Sequence, residues 1–144
     1  GTGKSVAAGW VWQCARELER LEASEACRRI VPPEWKTAVE ISSVPEWEVD
    51  AFALRMQRSP LLVIDDIGTE VDSARNRAAL QTVITRRHED GRGRTLLTTN
   101  FDGKRFAERY GPRIRSRLRE SGVDANGGAK YWHEHKGDDM RGGQ

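Results

Sequence analysis

The chain has 144 residues, 37% of them hydrophobic and 32% charged, with a formal net charge of +2. That is enough for one domain with its own core and too apolar for a disordered tail. No stretch approaches the roughly 18–20 consecutive apolar residues of a transmembrane helix, so neither a membrane span nor a membrane partner is expected. Val6, Trp10, Cys14, Leu18 and Leu21 recur every three or four residues and predict a helix from about Lys4 to Ile30. Pro32-Pro33 stops it, because proline has no N–H to continue the ladder. Thr37 to Val44, with the alternation Val39/Ile41, reads as a short strand. Pro45 opens a second helix, with Val49, Phe52, Ala53 and Met56 on one face, which ends near Ser59-Pro60. Leu61-Leu62-Val63-Ile64 is a continuous apolar run, as in a strand buried on both faces of a parallel sheet. A helix follows from Ser73 to about His88, with Leu80, Val83, Ile84 and Arg87 along one side, broken by Gly91-Arg92-Gly93. Thr95 to Thr99 forms another strand, closed by Asn100. Two basic helices, from about Asp102 to Tyr110 and from Pro112 to Glu120, are split at Gly111-Pro112. Asn126-Gly127-Gly128 reads as a loop and Lys130 to Lys136 as a last strand. Strands alternating with helices argue for one α/β domain with a parallel sheet.

Charge and cysteines narrow the setting. From Arg86 to Arg119 there are eleven basic residues against four acidic ones, so the rest of the chain is net acidic. An arginine-rich segment of this kind points to phosphate, in nucleic acid or in a nucleotide, since the guanidinium fork grips phosphate oxygens in fixed geometry. Cys14 and Cys27 cannot build a disulfide framework or a complete zinc site, and a cytoplasmic location is expected. His133 and His135 have the i, i+2 spacing of a metal pair but no third ligand nearby. Of the five tryptophans, Trp10 and Trp47 are expected in the core and Trp35, beside Pro32-Pro33, in solvent.

Gly1-Thr2-Gly3-Lys4-Ser5 fits the second half of the phosphate-binding loop G-x-x-x-x-G-K-[ST], followed at once by an amphipathic helix. In such a loop Gly3 lets the backbone wrap a β-phosphate, and the N–H groups of the helix start face its oxygens. Lys4 bridges the β- and γ-phosphates, and the Ser5 hydroxyl holds Mg²⁺. Asp65 and Asp66, ending the apolar strand, supply the acidic half of the site: Asp65 for the metal and Asp66 to polarise the attacking water. Asn100, at the end of the next strand, is placed to orient that water. An arginine from the basic helices can reach a γ-phosphate on a neighbouring subunit, which ties hydrolysis to assembly.

Taken together, Gly-Thr-Gly-Lys-Ser, Leu-Leu-Val-Ile-Asp-Asp-Ile-Gly, Leu-Leu-Thr-Thr-Asn and Arg-Tyr-Gly-Pro-Arg-Ile-Arg-Ser-Arg-Leu resemble the ATPase domain of AAA+ helicase loaders of the DnaC type. The IstB-type transposition helper ATPases are similar. The resemblance covers nearly the whole chain, in the family's motif order. It implies a P-loop NTPase fold, an open parallel sheet sandwiched by helices, with residues 1–144 forming a AAA+ core. It matches Gly1, Thr2, Gly3, Lys4 and Ser5 to Walker A, Asp65 and Asp66 to Walker B and Asn100 to sensor 1. Arg117 matches the arginine finger, with Arg113 and Arg115 as close rivals, and Arg141 the sensor 2 arginine. The implied cofactors are ATP and Mg²⁺. The implied partners are a replicative helicase or, for the IstB-like alternative, a transposase, together with single-stranded DNA and further copies of the chain in a homo-oligomer. A nucleic-acid-binding module with a vestigial ATP site is the remaining alternative. Asp66 stands where many AAA+ enzymes carry Glu, so slow, assembly-gated hydrolysis is expected. The start at Gly1 reads as a cut inside the Walker A loop, with the family's first core strand missing, so the 144 residues alone are expected to be poorly stable and to bind ATP weakly.

Overall fold

The structure, a computed structural model, describes residues 3–26, 31–91 and 94–120. Helix α1 (Lys4–Ala26) leads into strand β1 (Glu34–Thr37) and helices α2 (Ala38–Ser42) and α3 (Val49–Gln57). Strand β2 (Leu61–Ile67), helix α4 (Ala74–Asp90) and strand β3 (Arg94–Thr99) follow, then helices α5 (Gly103–Tyr110) and α6 (Pro112–Glu120). The three strands pair in parallel in the order β1-β2-β3. The fold is therefore α/β, a small parallel sheet flanked by helices. The expected loop at 126–128, the strand at 130–136 and the paired histidines lie outside the described residues.

The central position of β2 explains its sequence. Alternate residues of a strand face opposite sides, and both sides of β2 are covered. Leu62 and Ile64 join Ile41, Ala53, Met56, Leu80, Val83 and Phe106 in one buried cluster beneath α2, α3 and α4. Val63 and Asp65 face the other way, toward α1, and are buried as well.

The helix ends follow local chemistry. Ser73 caps α4 by accepting the Asn76 N–H at 3.1 Å, and Gly91, at φ 65°, closes it. Asp102 caps α5 by accepting the Arg105 and Lys104 N–H groups at 2.8 and 2.9 Å. Those two bonds, the Arg105 one foremost, hold its carboxyl below the usual range.

Two expectations are corrected. The strand expected over Thr37–Val44 is a strand that ends at Thr37 and a helix that begins at Ala38. Thr37-Ala38-Val39-Glu40 is a capping box: the Glu40 N–H reaches Thr37 Oγ1 at 3.1 Å, and the Thr37 N–H reaches Glu40 Oε2 at 2.6 Å. These reciprocal bonds outweigh the β preference of Val39 and Ile41. The second correction concerns burial. Val6, Trp10 and Leu18 of the expected core stripe are 60%, 66% and 61% exposed, and Trp47 is 84% exposed. Helix α1 instead turns buried Ala8 and half-buried Trp12 and Ala15 inward, since small residues let a helix lie close to a sheet. Trp35 is half-buried rather than exposed, edge-on to Trp12 with ring centroids 6.1 Å apart.

Arg87, correctly placed on the apolar side of α4, is 2% exposed. Its guanidinium donates to the carbonyls of Met56, Ser59 and Arg94 and to Thr95 Oγ1. Burial pushes its pKa down to about 10, so it is still a cation at neutral pH. It bolts α4 to the end of α3 and the start of β3. Arg87→Met keeps the bulk but removes the donors, and is expected to cost about 3 kcal/mol or more, because several buried acceptors lose their partner. Urea unfolding checks this; a change below about 0.5 kcal/mol, the range of an ordinary surface substitution, contradicts the bolt.

Candidate functional site

Helix α1 begins at Lys4, immediately after Gly3, whose φ of 76° lies in the left-handed region that favours glycine. The Ala7 N–H closes on the Gly3 carbonyl at 2.9 Å, so Lys4 and Ser5 occupy the first turn. A helix start carries N–H groups without intrahelical partners and the positive end of the dipole. Ser5 Oγ donates to Asp65 Oδ1 at 2.9 Å, across 60 residues of sequence. That bond brings the helix start to the C-terminal end of β2, where ligands bind in open α/β sheets.

Asp65 and Asp66 sit at an irregularity in the sheet. Ile64 pairs with Leu97 but Ile67 with Thr99, so β2 spends one residue more than β3 over this interval. The extra residue is absorbed by Asp66 at φ 55°, a conformation that Asp tolerates better than most side chains. Thr98 lies opposite. Its hydroxyl donates to Asp65 Oδ1 and accepts the Asp66 N–H at 2.9 Å. The bulge separates the carboxylates: Asp65 is 8% exposed and Asp66 stands in solvent. Asn100 follows directly after β3 and is also exposed.

Glu70, which the sequence reading passed over, anchors the loop that leaves Asp66. Its side chain is 1% exposed. Glu70 Oε1 accepts Arg109 Nη2 at 2.9 Å and the Tyr110 hydroxyl, while Oε2 accepts the Gly68 N–H at 2.9 Å. Burial first, and then the bond to Glu70, push the Tyr110 phenol pKa up, so it stays protonated and donating. The Glu70 clasp therefore fixes the end of α5, and with it the corner at Gly111-Pro112, to the loop after β2. No periodic signal marks Glu70; the only available hint was an acidic residue four places beyond the Asp pair.

The arginines divide. Arg117 is turned onto its own α4, donating to Thr85 Oγ1 and to Glu89 Oε1, the latter at 3.2 Å. Arg113 and Arg115 on the same helix are exposed, and the Arg115 guanidinium lies over Gly103. With Arg87 and Arg109 buried or clasped, the basic segment is not one solvated face. Gly1, Thr2 and Arg141 lie outside the described residues. Among the described residues no three His, Cys, Asp or Glu side chains cluster as a metal site, and no helix is long and apolar enough to cross a membrane. No protein-family model matches the chain, and no curated protein or solved structure matches it.

Two substitutions test the loop. Glu70→Ala leaves the buried Tyr110 hydroxyl and the Gly68 N–H without their acceptor and the half-buried Arg109 guanidinium with only the more distant Asp72, and is expected to destabilise by about 1–3 kcal/mol. Gly68→Ala is expected to cost about 1–3 kcal/mol, because Gly68 has φ 107° and an added Cβ falls 2.7 Å from the Phe101 ring. Thermal and urea unfolding of both variants against wild type measure these losses; wild-type stability in either one removes the corresponding contact from the account.

Proposed function

We propose that the protein is a Mg²⁺-dependent ATPase of the AAA+ type, resembling DnaC-type helicase loaders. The observation that carries the reading is the hydrogen bond from Ser5 to Asp65, 60 residues apart in sequence. It unites the two halves of a nucleotide site, a glycine-led helix start and an acidic strand end, that the sequence holds far apart.

The residues fit the chemistry. A serine hydroxyl and a carboxylate in contact are the hard oxygen donors that suit Mg²⁺, which keeps its other positions for water and phosphate. When bound, the ion neutralises charge on the β- and γ-phosphates. The start of α1 offers N–H groups to the phosphates, and Lys4, in its first turn, adds a cation there. Asp66, exposed one residue beyond the buried Asp65, accepts a proton from water. Asn100 stands at the end of the neighbouring strand to orient that water. In this reading the chain acts in a homo-oligomer that handles single-stranded DNA and a replicative helicase.

Nucleotide binding and turnover by the intact protein, with and without single-stranded DNA, test the proposal. Lys4→Ala and Asp65→Asn are each expected to lower turnover by about 100-fold or more, as loss of a transition-state electrostatic contact does. A wild-type protein that neither binds nor hydrolyses ATP in the presence of Mg²⁺ rejects the reading. A transposase, rather than a helicase, in the assembly assigns the IstB-like role.

The arginine finger has a separate test. Because Arg117 is held by Thr85 and Glu89 of its own chain, a trans role requires α6 to release it in the assembly, whereas Arg113 and Arg115 already face outward. Mixing Asp66→Asn protein with Arg113→Ala, Arg115→Ala or Arg117→Ala protein distinguishes them. Recovery of turnover in one mixture identifies the finger; recovery in none removes the trans contribution.

A further inference from the structure

The parallel ladder breaks at Asp65–Asp66, and the break has to be repaired chemically. A bulge leaves one backbone N–H without a ladder partner, and an unpaired N–H costs about 1–3 kcal/mol when buried. Here the Asp66 N–H is taken up by Thr98 Oγ1 at 2.9 Å. A hydroxyl has one proton and two acceptor sites. With its acceptor side committed to Asp66, the Thr98 hydroxyl turns its single proton onto Asp65 Oδ1. Thr98 is 6% exposed, so little water competes for either bond. One buried hydroxyl thus fixes the side chain of the first carboxylate and the backbone of the second.

We propose that Thr98 is a positioning residue for both carboxylates, setting the affinity of the site for Mg²⁺ through Asp65 and the presentation of Asp66 through its backbone. This rests on the ATPase reading above. Serine in place of threonine keeps the donor and the acceptor; valine keeps the shape and loses both. Ser5, which also donates to Oδ1 at 2.9 Å, does not replace Thr98, because it approaches from α1 and leaves the Asp66 N–H unmet.

The experiment is equilibrium ATP binding by the intact protein, in EDTA and across a Mg²⁺ titration, for wild type, Thr98→Val and Thr98→Ser, with turnover measured alongside. For Thr98→Val the half-saturating Mg²⁺ concentration is expected to rise by about 10-fold or more, the usual penalty for deleting the partner of a metal-ligating group. Binding in EDTA stays at the wild-type level, because the phosphate contacts of α1 are untouched. Turnover at saturating Mg²⁺ also falls, since Asp66 is no longer held. Thr98→Ser restores the Mg²⁺ response to near the wild-type level, because it keeps the hydroxyl donor and acceptor. Should Thr98→Val fail to fold, Thr98→Ala makes the same deletion without added bulk against Asp65. An unchanged Mg²⁺ half-saturation in the folded deletion variant overturns the role of Thr98, as does a serine variant as impaired as the valine one. A wild-type protein that binds no ATP at any Mg²⁺ concentration overturns the ATPase reading, and this proposal with it.

Discussion

A carboxylate at the end of the central strand is the constraint on which the remaining geometry depends. Asp65 is 8% exposed and faces α1 from the strand buried on both sides. An ionised carboxylate removed from water carries a penalty of several kcal/mol unless donors meet it. Two hydroxyls do so from different elements, Ser5 from the start of α1 and Thr98 from β3. Satisfying Asp65 therefore fixes three elements relative to one another. It brings the helix start to the strand end and aligns β3 against the bulge. The same two contacts that satisfy the carboxylate bring α1, β2 and β3 together.

Among the described residues, two further buried charged side chains act in the same way. Arg87 ties α4 to the end of α3 and the start of β3, and Glu70 ties the loop after β2 to the end of α5. A three-stranded sheet offers limited apolar surface, and the described core is made mostly of medium-sized aliphatic side chains with Phe106 and Tyr110. Buried charges add little net stability, because desolvation offsets most of their attraction. What they add here is register: each node leaves acceptors or donors unmet in any other packing of these elements. Apolar contacts between α4 and its neighbours tolerate small slips, whereas an arginine serving three carbonyls does not.

Where the sequence announced structure, it did so through strong local signals. Leu61 to Ile64 is apolar without interruption because β2 is covered on both sides. Helix α4 announced itself by Ser73 at one end and Gly91 at the other. The reading failed where two signals competed over few residues: Val39 and Ile41 alternate, but Thr37 and Glu40 three residues apart close a capping box. In α1 the large apolar residues marked a face that the sheet does not use, because close approach favours Ala8 over Trp10. Of the candidate site, the motif singled out Lys4, Ser5, Asp65 and Asp66, although nothing in the spacing showed that Ser5 and Asp65 touch. Thr98 and Glu70 were not legible. A lone buried threonine or glutamate has no periodicity, and their partners stand 33 and 40 residues away.

The bulge also accounts for an aspartate, and not a longer carboxylate, at position 66. At φ 55° a side chain sits against its own backbone, and short polar residues bear this best. A longer carboxylate at position 66 meets that constraint less readily, so Asp here follows from the backbone as much as from the chemistry. The backbone is in turn held by Thr98 on one side, and the loop beyond it by the bond from Gly68 to Glu70. Glu70 continues the connection to Arg109 and Tyr110, directly before the Gly111-Pro112 corner from which α6 carries Arg113, Arg115 and Arg117. Glu70 thus links the loop after Asp66 to the base of α6, which Arg117 anchors separately to α4 through Thr85 and Glu89.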